Sequence, residues 1–325
     1  MPSMYRAEKL DQWMHAALAS SLSHVAERCT ASAPKISDLL AIPIAHIRDG
    51  GRLPPEAFAT YYELVEAASS GEIEDAVRHA HRIGNVLLSP DRREWPVLAV
   101  GSQEAASLET AFKGRMGLHE RSLFGVVDET TRKDFATRLD AGLSLLELGM
   151  PDIHAEITTI IRAVLLAQAP AEAELEFDGA SHFELWGLVL LNPRFHQTRL
   201  EVAEVLAHEC GHSLLFGMMG KELLVHNPYE DKYPSPLRPD PRPMDGIFHA
   251  TFVSARMALT MEGLAASGVL TSEECENALT AADRDRSNFA SGDSVIKEHG
   301  RLTPTGLKII ENARQWISQP PVITR

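Results

Sequence analysis

Apolar residues recur at spacings of three and four along the first half of the chain, which is the pattern of amphipathic α-helices. The segments that show this pattern are 7–27, 56–70, 102–114, 130–148 and 152–168. Prolines and glycines separate them, as expected of short connections between helices. The pattern predicts a helical N-terminal region that covers residues 1–165.

The pattern changes after Pro170. Residues 173–178 alternate between apolar and polar side chains, which predicts a strand with one exposed face. Residues 184–192 form a continuous apolar run of strand length that ends at Asn192-Pro193. We expect this second strand to lie beside a cleft, where it could pair with an extended peptide.

Helical periodicity returns from Thr198, which is a suitable N-cap, and continues to Met219. Residues 227–243 are rich in proline, which excludes a helix there, and a long irregular segment in a compact domain is often functional. Three more helices are predicted over 244–267, 271–290 and 303–316.

These elements together predict a mainly α protein with a small β-element. Residues 166–325 would form a zincin-like HExxH region that holds a metal and follows the helical N-terminal region. We expect the two regions to form one compact unit.

Composition and charge exclude several classes of protein. The 325 residues contain 31 Lys and Arg against 45 Asp and Glu, a net charge of −14, which argues against binding to nucleic acid. The N-terminus lacks the features of a secretory signal, and no apolar run is long enough to span a membrane. The three cysteines have no CxxC spacing, which is typical of a reducing compartment, so we expect a cytoplasmic protein.

The predicted helix 198–219 contains the segment HECGH, in which His208 and His212 are four residues apart. Residues at this spacing project from one face of a helix, about one turn apart, so both imidazoles can bind one divalent metal ion. Glu209 lies about 100° round the helix from His208, near the same pocket. In zincin metallopeptidases this glutamate is the general base for metal-bound water.

A metal site needs at least one more protein ligand. No EnnnD or HxxGxxH pattern follows HECGH. The best candidate is His249, one turn into the helix after the proline-rich segment, with Asp245 four residues before it on the same face. His226, in a predicted loop, ranks lower.

Four segments in this order resemble one known family. They are FDGASHFELWGLVLLNP, LAHECGHSLLF, YPSPLRPDPRPMDGIFHATF and HGRLTPTG. The chain resembles the HExxH-motif 2-oxoglutarate-dependent peptide β-hydroxylases that accompany ribosomally made peptide natural products. The resemblance covers about residues 130–316, and the proline-rich stretch followed by a Gly and a His is its most specific part.

The resemblance implies an iron(II) dioxygenase site with His208, His212 and His249 as protein ligands. The co-substrate 2-oxoglutarate would bind the iron through one end, and its other carboxylate would need a cation. Arg242, and after it Arg238, are the candidates for that cation. The implied reaction is hydroxylation of a side-chain β-carbon in a peptide, as in the biosynthesis of ribosomally made, modified peptides.

Two alternatives stay open. The family more often has Gln before the second histidine of the motif, whereas Gly211 stands there, as in many proteases. A zinc metallopeptidase would use Glu209 directly as its general base. A peptide-binding scaffold with a structural zinc would need a fourth protein ligand, and Cys210 is expected to point away from the histidine face.

Overall fold

The computed structural model describes residues 2–86, 95–115, 124–170, 177–220 and 222–319. Eleven helices make up most of this described part, together with a four-stranded sheet and a two-stranded ladder. The prediction of a mainly α protein with a small β-element is confirmed. No helix in the described ranges is both long and apolar enough to cross a membrane.

The helices are α1 (Met4–Cys29), α2 (Pro34–Arg48), α3 (Pro55–Ser70), α4 (Ile73–Val86), α5 (Ala106–Gly114), α6 (Glu129–Gly149), α7 (Pro151–Ile160), α8 (Arg199–Met219), α9 (Met244–Ala266), α10 (Ser272–His299) and α11 (Pro304–Ser318). The strands are β1 (Val97–Ala99), β2 (Ala163–Leu166), β3 (Gly179–Ser181), β4 (Leu188–Leu191), β5 (Lys232–Tyr233) and β6 (Arg242–Pro243).

Residue contacts divide the chain into two compact units. The sheet unit comprises Glu8–Ala136 and Thr159–Phe195. The HExxH unit comprises Met1–Ala7, Thr137–Thr158 and His196–Arg325. Each unit is therefore assembled from segments that are distant in sequence.

The sheet unit contains the four-stranded sheet, with strand order β1-β2-β4-β3. Strands β1, β2 and β4 are parallel, with Val164 of β2 opposite Val189 of β4, and β3 runs antiparallel to β4. Both β2 and β4 are buried along their whole length. Their continuous apolar sequences fit strands that are covered on both faces.

One sequence prediction that reaches into this unit is wrong in part. The predicted helix 152–168 ends at Ile160, and Ala163–Leu166 forms strand β2. A fully apolar run fits a buried strand as well as a buried helix, so periodicity alone could not separate them. The predicted strand 173–178 lies largely outside the described residues.

The apolar run 184–192 also differs from its prediction. Its first residues belong to a short 3-10 turn, Phe183–Leu185, and Gly187 has a φ of 89°, so strand β4 begins only at Leu188. Strand β4 has β2 on one side and β3 on the other. It therefore has no open edge, and the expectation that it pairs with an extended peptide is wrong.

In the HExxH unit, α9 packs against α8, α10 and α11. Its buried side chains include Phe248, Phe252 and Val253, which join an apolar core with Leu215 of α8 and Phe289 of α10. The predicted helices 198–219, 244–267 and 303–316 are confirmed within two residues at each end. Helix α10 continues to His299, beyond the predicted end at 290.

The proline-rich segment 227–243 contains no helix, as predicted. Strands β5 and β6 pair antiparallel within it, with Tyr233 opposite Arg242. This pairing brings the chain directly to Met244, where α9 begins.

Candidate metal centre

Helix α8 begins at a capping box, which fixes where the HExxH motif falls on the helix. The Thr198 hydroxyl accepts from the Glu201 backbone N–H at 3.2 Å, and the Glu201 carboxylate accepts from the Thr198 N–H at 2.9 Å. An N-cap of this kind contributes about 1 kcal/mol to helix stability. The helix then continues without a break through His208 and His212.

His208 and His212 meet through their outer nitrogens, with Nε2 of one 3.1 Å from Nε2 of the other. Two ligands bonded to one ion at about 2.1 Å, with an angle slightly above 90° between them, are also about 3.1 Å apart. The His208 side chain is 23% exposed, so solvent reaches the pair. The spacing therefore suits one divalent ion held between these two atoms.

His249 lies on α9 and is buried, with 7% exposure. Its Nδ1 is 3.1 Å from Nδ1 of His212, and the two rings stack at a centroid distance of 5.3 Å. The ring of Phe216 also contacts His249, at a centroid distance of 5.4 Å. The structure thus brings together all three predicted histidines, from α8 and α9.

The three rings contact one another in series, from His208 through His212 to His249. His212 faces His208 with Nε2 and His249 with Nδ1, and these two ring nitrogens point in different directions. One ion therefore cannot bond all three residues across the present contacts. Among the described residues, no group of three or more His, Cys, Asp or Glu side chains is arranged to hold a metal ion. His249 must turn one nitrogen away from His212 to become a third ligand.

Burial favours the neutral form of His212 and His249. It is the largest cause of a pKa of His212 well below the ordinary value, and the neighbouring His208, His249 and the positive charge of Arg238 lower it further. Burial also lowers the pKa of His249, against the opposing effect of Asp245. Neutral imidazoles present the lone pair that a metal ion requires.

Glu209 and Cys210 take different positions beside the pair. The carboxylate of Glu209 is 2% exposed, and its Oε1 lies 3.8 Å from Nε2 of His208, which is beyond hydrogen-bond distance. Cys210 is fully buried, and burial raises the pKa of its thiol to about 12.

Gly211 lies where α8 and α9 pack closely together. A Cβ at this position would lie 2.9 Å from Cγ1 of Val253 and 3.3 Å from Cδ of Arg256. Arg256 is fully buried and pairs with the buried carboxylate of Glu156 at 2.8 Å. Packing between the helices therefore explains the glycine in HECGH without reference to protease chemistry.

The two candidate arginines differ in their surroundings. Arg242, in β6, is 44% exposed, and its Nε lies 2.8 Å from Oδ2 of Asp240. Arg238 is also exposed, but its positive charge contributes to the lowered pKa of His212. Of the two arginines, Arg238 is therefore the one whose charge acts on His212.

Other residues considered from sequence lie elsewhere. His226 is exposed, and its backbone N–H donates to the carbonyl of Arg301 at 2.7 Å. Trp186 belongs to the sheet unit, where its Nε1–H donates to the buried carboxylate of Asp11 at 3.0 Å. With 3% of its surface exposed, Trp186 is a core residue of that unit.

Sequence reasoning missed Met257. This residue of α9 is 9% exposed, and its Sδ lies 3.1 Å from Nδ1 of His208. It is two helical turns after His249, so the spacing places it on the same face. Nothing in the sequence distinguishes it from an ordinary core methionine, because the contact depends on how α9 crosses α8.

No model of a known protein family matches the sequence, and no curated protein is significantly similar to it.

Proposed function

We propose that the HExxH unit is the metal centre of an iron(II)/2-oxoglutarate-dependent oxygenase that hydroxylates a side-chain β-carbon of a peptide. A ribosomally made precursor peptide would be its substrate. The observation that carries the metal site is the 3.1 Å separation between Nε2 of His208 and Nε2 of His212. The resemblance of the surrounding motifs to the peptide β-hydroxylases supports iron and 2-oxoglutarate.

The donor set fits iron(II). Imidazole nitrogen suits iron, and a site with few protein ligands leaves positions open for other molecules. Bound iron(II) would supply the chemistry that couples dioxygen and 2-oxoglutarate to C–H oxidation. In the balanced reaction, one oxygen atom enters the peptide as the hydroxyl, and the other enters succinate as carbon dioxide is released.

The residues of this chain would hold and orient the reactants. His208 and His212 would bind the ion through Nε2, and His249 would be the third ligand after turning from His212. The distal carboxylate of 2-oxoglutarate needs a cation, and we now rank Arg238 before Arg242, because Arg242 is engaged by Asp240. Glu209, beside His208, would orient a ligand or bound water.

A zinc metallopeptidase is the second candidate, and the position of Glu209 favours it. A nearly buried carboxylate 3.8 Å from Nε2 of His208 is close to where metal-bound water would lie. There it could accept a proton from that water as a general base. The peptidase would need no co-substrate, which separates the two candidates experimentally.

The test measures succinate after anaerobic purification, loading with iron(II) and exposure to dioxygen and 2-oxoglutarate, with candidate peptides present. We expect succinate that depends on iron. Arg238→Ala should raise the 2-oxoglutarate concentration required by about 10- to 100-fold, because a charge-assisted hydrogen bond contributes about 1.5–3 kcal/mol. Arg242→Ala is the matched control and should have a smaller effect. Peptide cleavage by the zinc-loaded protein, without succinate from the iron-loaded protein, would establish the peptidase instead.

A further inference from the structure

The hydrogen bond between Met257 and His208 can have only one donor, the histidine. Sδ of Met257 lies 3.1 Å from Nδ1 of His208. A thioether sulfur carries no hydrogen and can only accept, whereas a neutral imidazole has one nitrogen that donates and one that accepts. In this hydrogen bond Nδ1 of His208 therefore donates, so Nδ1 carries the ring proton and Nε2 carries the lone pair.

The donor and acceptor nitrogens of His208 determine those of His212 and His249 in turn. With a lone pair on Nε2 of His208, the contact at 3.1 Å requires Nε2 of His212 to donate. Nδ1 of His212 then accepts, so Nδ1 of His249 must donate across the second 3.1 Å contact. The acceptor at one end therefore sets the donor and acceptor roles of all three rings.

The carboxylate of Glu209 does not reverse these donor and acceptor roles by holding a proton on Nε2 of His208. A proton on Nε2 of His208 could be stabilised by Glu209, but the distance of 3.8 Å to its Oε1 is too long for a hydrogen bond. Met257 is nearly buried at the crossing of α9 and α8, so its sulfur stays close to Nδ1.

We infer that Met257 is a positioning residue that holds the proton of His208 on Nδ1 and leaves the Nε2 lone pair directed at His212. The consequence for metal binding rests on the proposed function. His208 presents its ligand atom before the ion arrives, whereas His212 must first move its Nε2 proton. Histidine ligands in metal sites are commonly oriented in this way by a partner on the other ring nitrogen.

The direct test reads the protonation of the ring nitrogens in the metal-free protein. Long-range ¹⁵N–¹H correlation spectra at pH 8 distinguish a protonated ring nitrogen from one with a lone pair, and His208→Gln assigns the His208 signals. In the wild-type protein we expect His208 with a protonated Nδ1 and an unprotonated Nε2.

Met257→Leu removes the acceptor and keeps a similar volume, so folding should be little affected. We expect the Nδ1 and Nε2 shifts of His208 to move toward each other or to exchange in this variant. Met261→Leu is the matched control, since Met261 is buried one turn further along α9. It should leave the His208 shifts unchanged, because a general packing change does not select a tautomer.

A Zn²⁺ titration measures the effect on metal binding. Met257→Leu should weaken Zn²⁺ affinity by about tenfold, the low end for loss of an outer partner of a metal-bound histidine. Met261→Leu should not weaken it. A wild-type His208 with its proton on Nε2, or shifts that are identical in wild type and Met257→Leu, would overturn the inference.

The same data separate this inference from the proposed function. If the wild-type protein binds neither Zn²⁺ nor Fe²⁺, the metal centre is refuted. The expected tautomer of His208 and its loss in Met257→Leu would then still establish that Met257 orders the histidines.

Discussion

The properties of His208 and His212 arise from their position four residues apart on one helix and from burial beside a third histidine. Burial lowers the pKa of His212, so this imidazole is neutral near pH 7, and a shift of its one ring proton to Nδ1 leaves Nε2 able to bind a metal ion. Their Nε2 atoms already stand at a separation that suits two ligands of one ion. The proposed metal site therefore requires these two side chains before any other ligand.

We predict that His208→Ala and His212→Ala each abolish stoichiometric binding of a divalent metal while the helical circular dichroism is retained. His226→Ala is the matched control, because it removes an exposed histidine from the same unit. Elemental analysis after dialysis measures the metal content. Full metal occupancy in either α8 variant would contradict the assignment.

Glu209 separates the two enzyme classes. In a peptidase, Glu209→Gln removes the general base, and the rate of peptide cleavage should fall about 10²- to 10⁴-fold while metal stays bound. In the proposed oxygenase the same substitution should change succinate formation much less, because no step needs this carboxylate as a base. Steady-state rates of the metal-loaded variant decide the matter. If Glu209→Gln lowered the rate of succinate formation by about 10²- to 10⁴-fold as well, the result would contradict the proposed role of Glu209 in orienting a ligand or water.

At the residue scale, the sequence predicted the two histidines and the adjacent glutamate because a helix fixes their relative positions within five residues. It could propose His249 only from its place after the proline-rich segment. The contact between His249 and His212, and that between Met257 and His208, arise where two helices cross. Spacing along one helix contains no information about the partner that crosses it.

At the scale of elements, the start of α8 and the absence of helix in the proline-rich segment followed from capping and from proline chemistry. The end of α7 and the short strand β2 could not be predicted, because the apolar run 163–166 is compatible with either a helix or a strand. Pairing with β1 and β4 decides the outcome, and neither strand is close to β2 in sequence.

A pair of carboxylates links α8 to α10, one turn before His208. Glu204 of α8 and the fully buried Asp285 of α10 both contact Nη2 of Arg284. Burial, and then the negative charge of Glu204, raises the pKa of Asp285 to about 7, from 3.8 in the absence of these effects. The folded protein therefore keeps a proton on Asp285 at pH values where the unfolded chain has lost it.

We predict that this group makes the wild-type protein less stable as the pH rises from about 4 through 7, because a raised folded-state pKa favours the folded state only while the proton is bound. Asp285→Asn should remove this dependence and stabilise the protein by about 1–3 kcal/mol at pH 8. Urea unfolding at pH 5 and pH 8 measures it, with the exposed Asp283→Asn as control. A variant with the same pH dependence as wild type would show that Asp285 is ionised in the folded protein.

At the scale of the whole molecule, each unit combines segments from distant parts of the chain. The HExxH unit takes its first residues from Met1–Ala7 and others from Thr137–Thr158 before the main part begins at His196. Local periodicity predicts where helices lie but not which of them pack together. A mainly α protein with a small β-element was therefore predictable, whereas the composition of each unit was not.

The central claim is that this metal centre binds iron(II) together with 2-oxoglutarate, and anaerobic equilibrium binding tests it without knowledge of the peptide. We predict that the iron-loaded wild-type protein binds 2-oxoglutarate saturably, with one molecule per chain. Binding should be lost in His212→Ala and weakened about 10- to 100-fold in Arg238→Ala. If the iron-loaded wild-type protein shows no binding of 2-oxoglutarate, or binds it equally well without metal, the result contradicts the account.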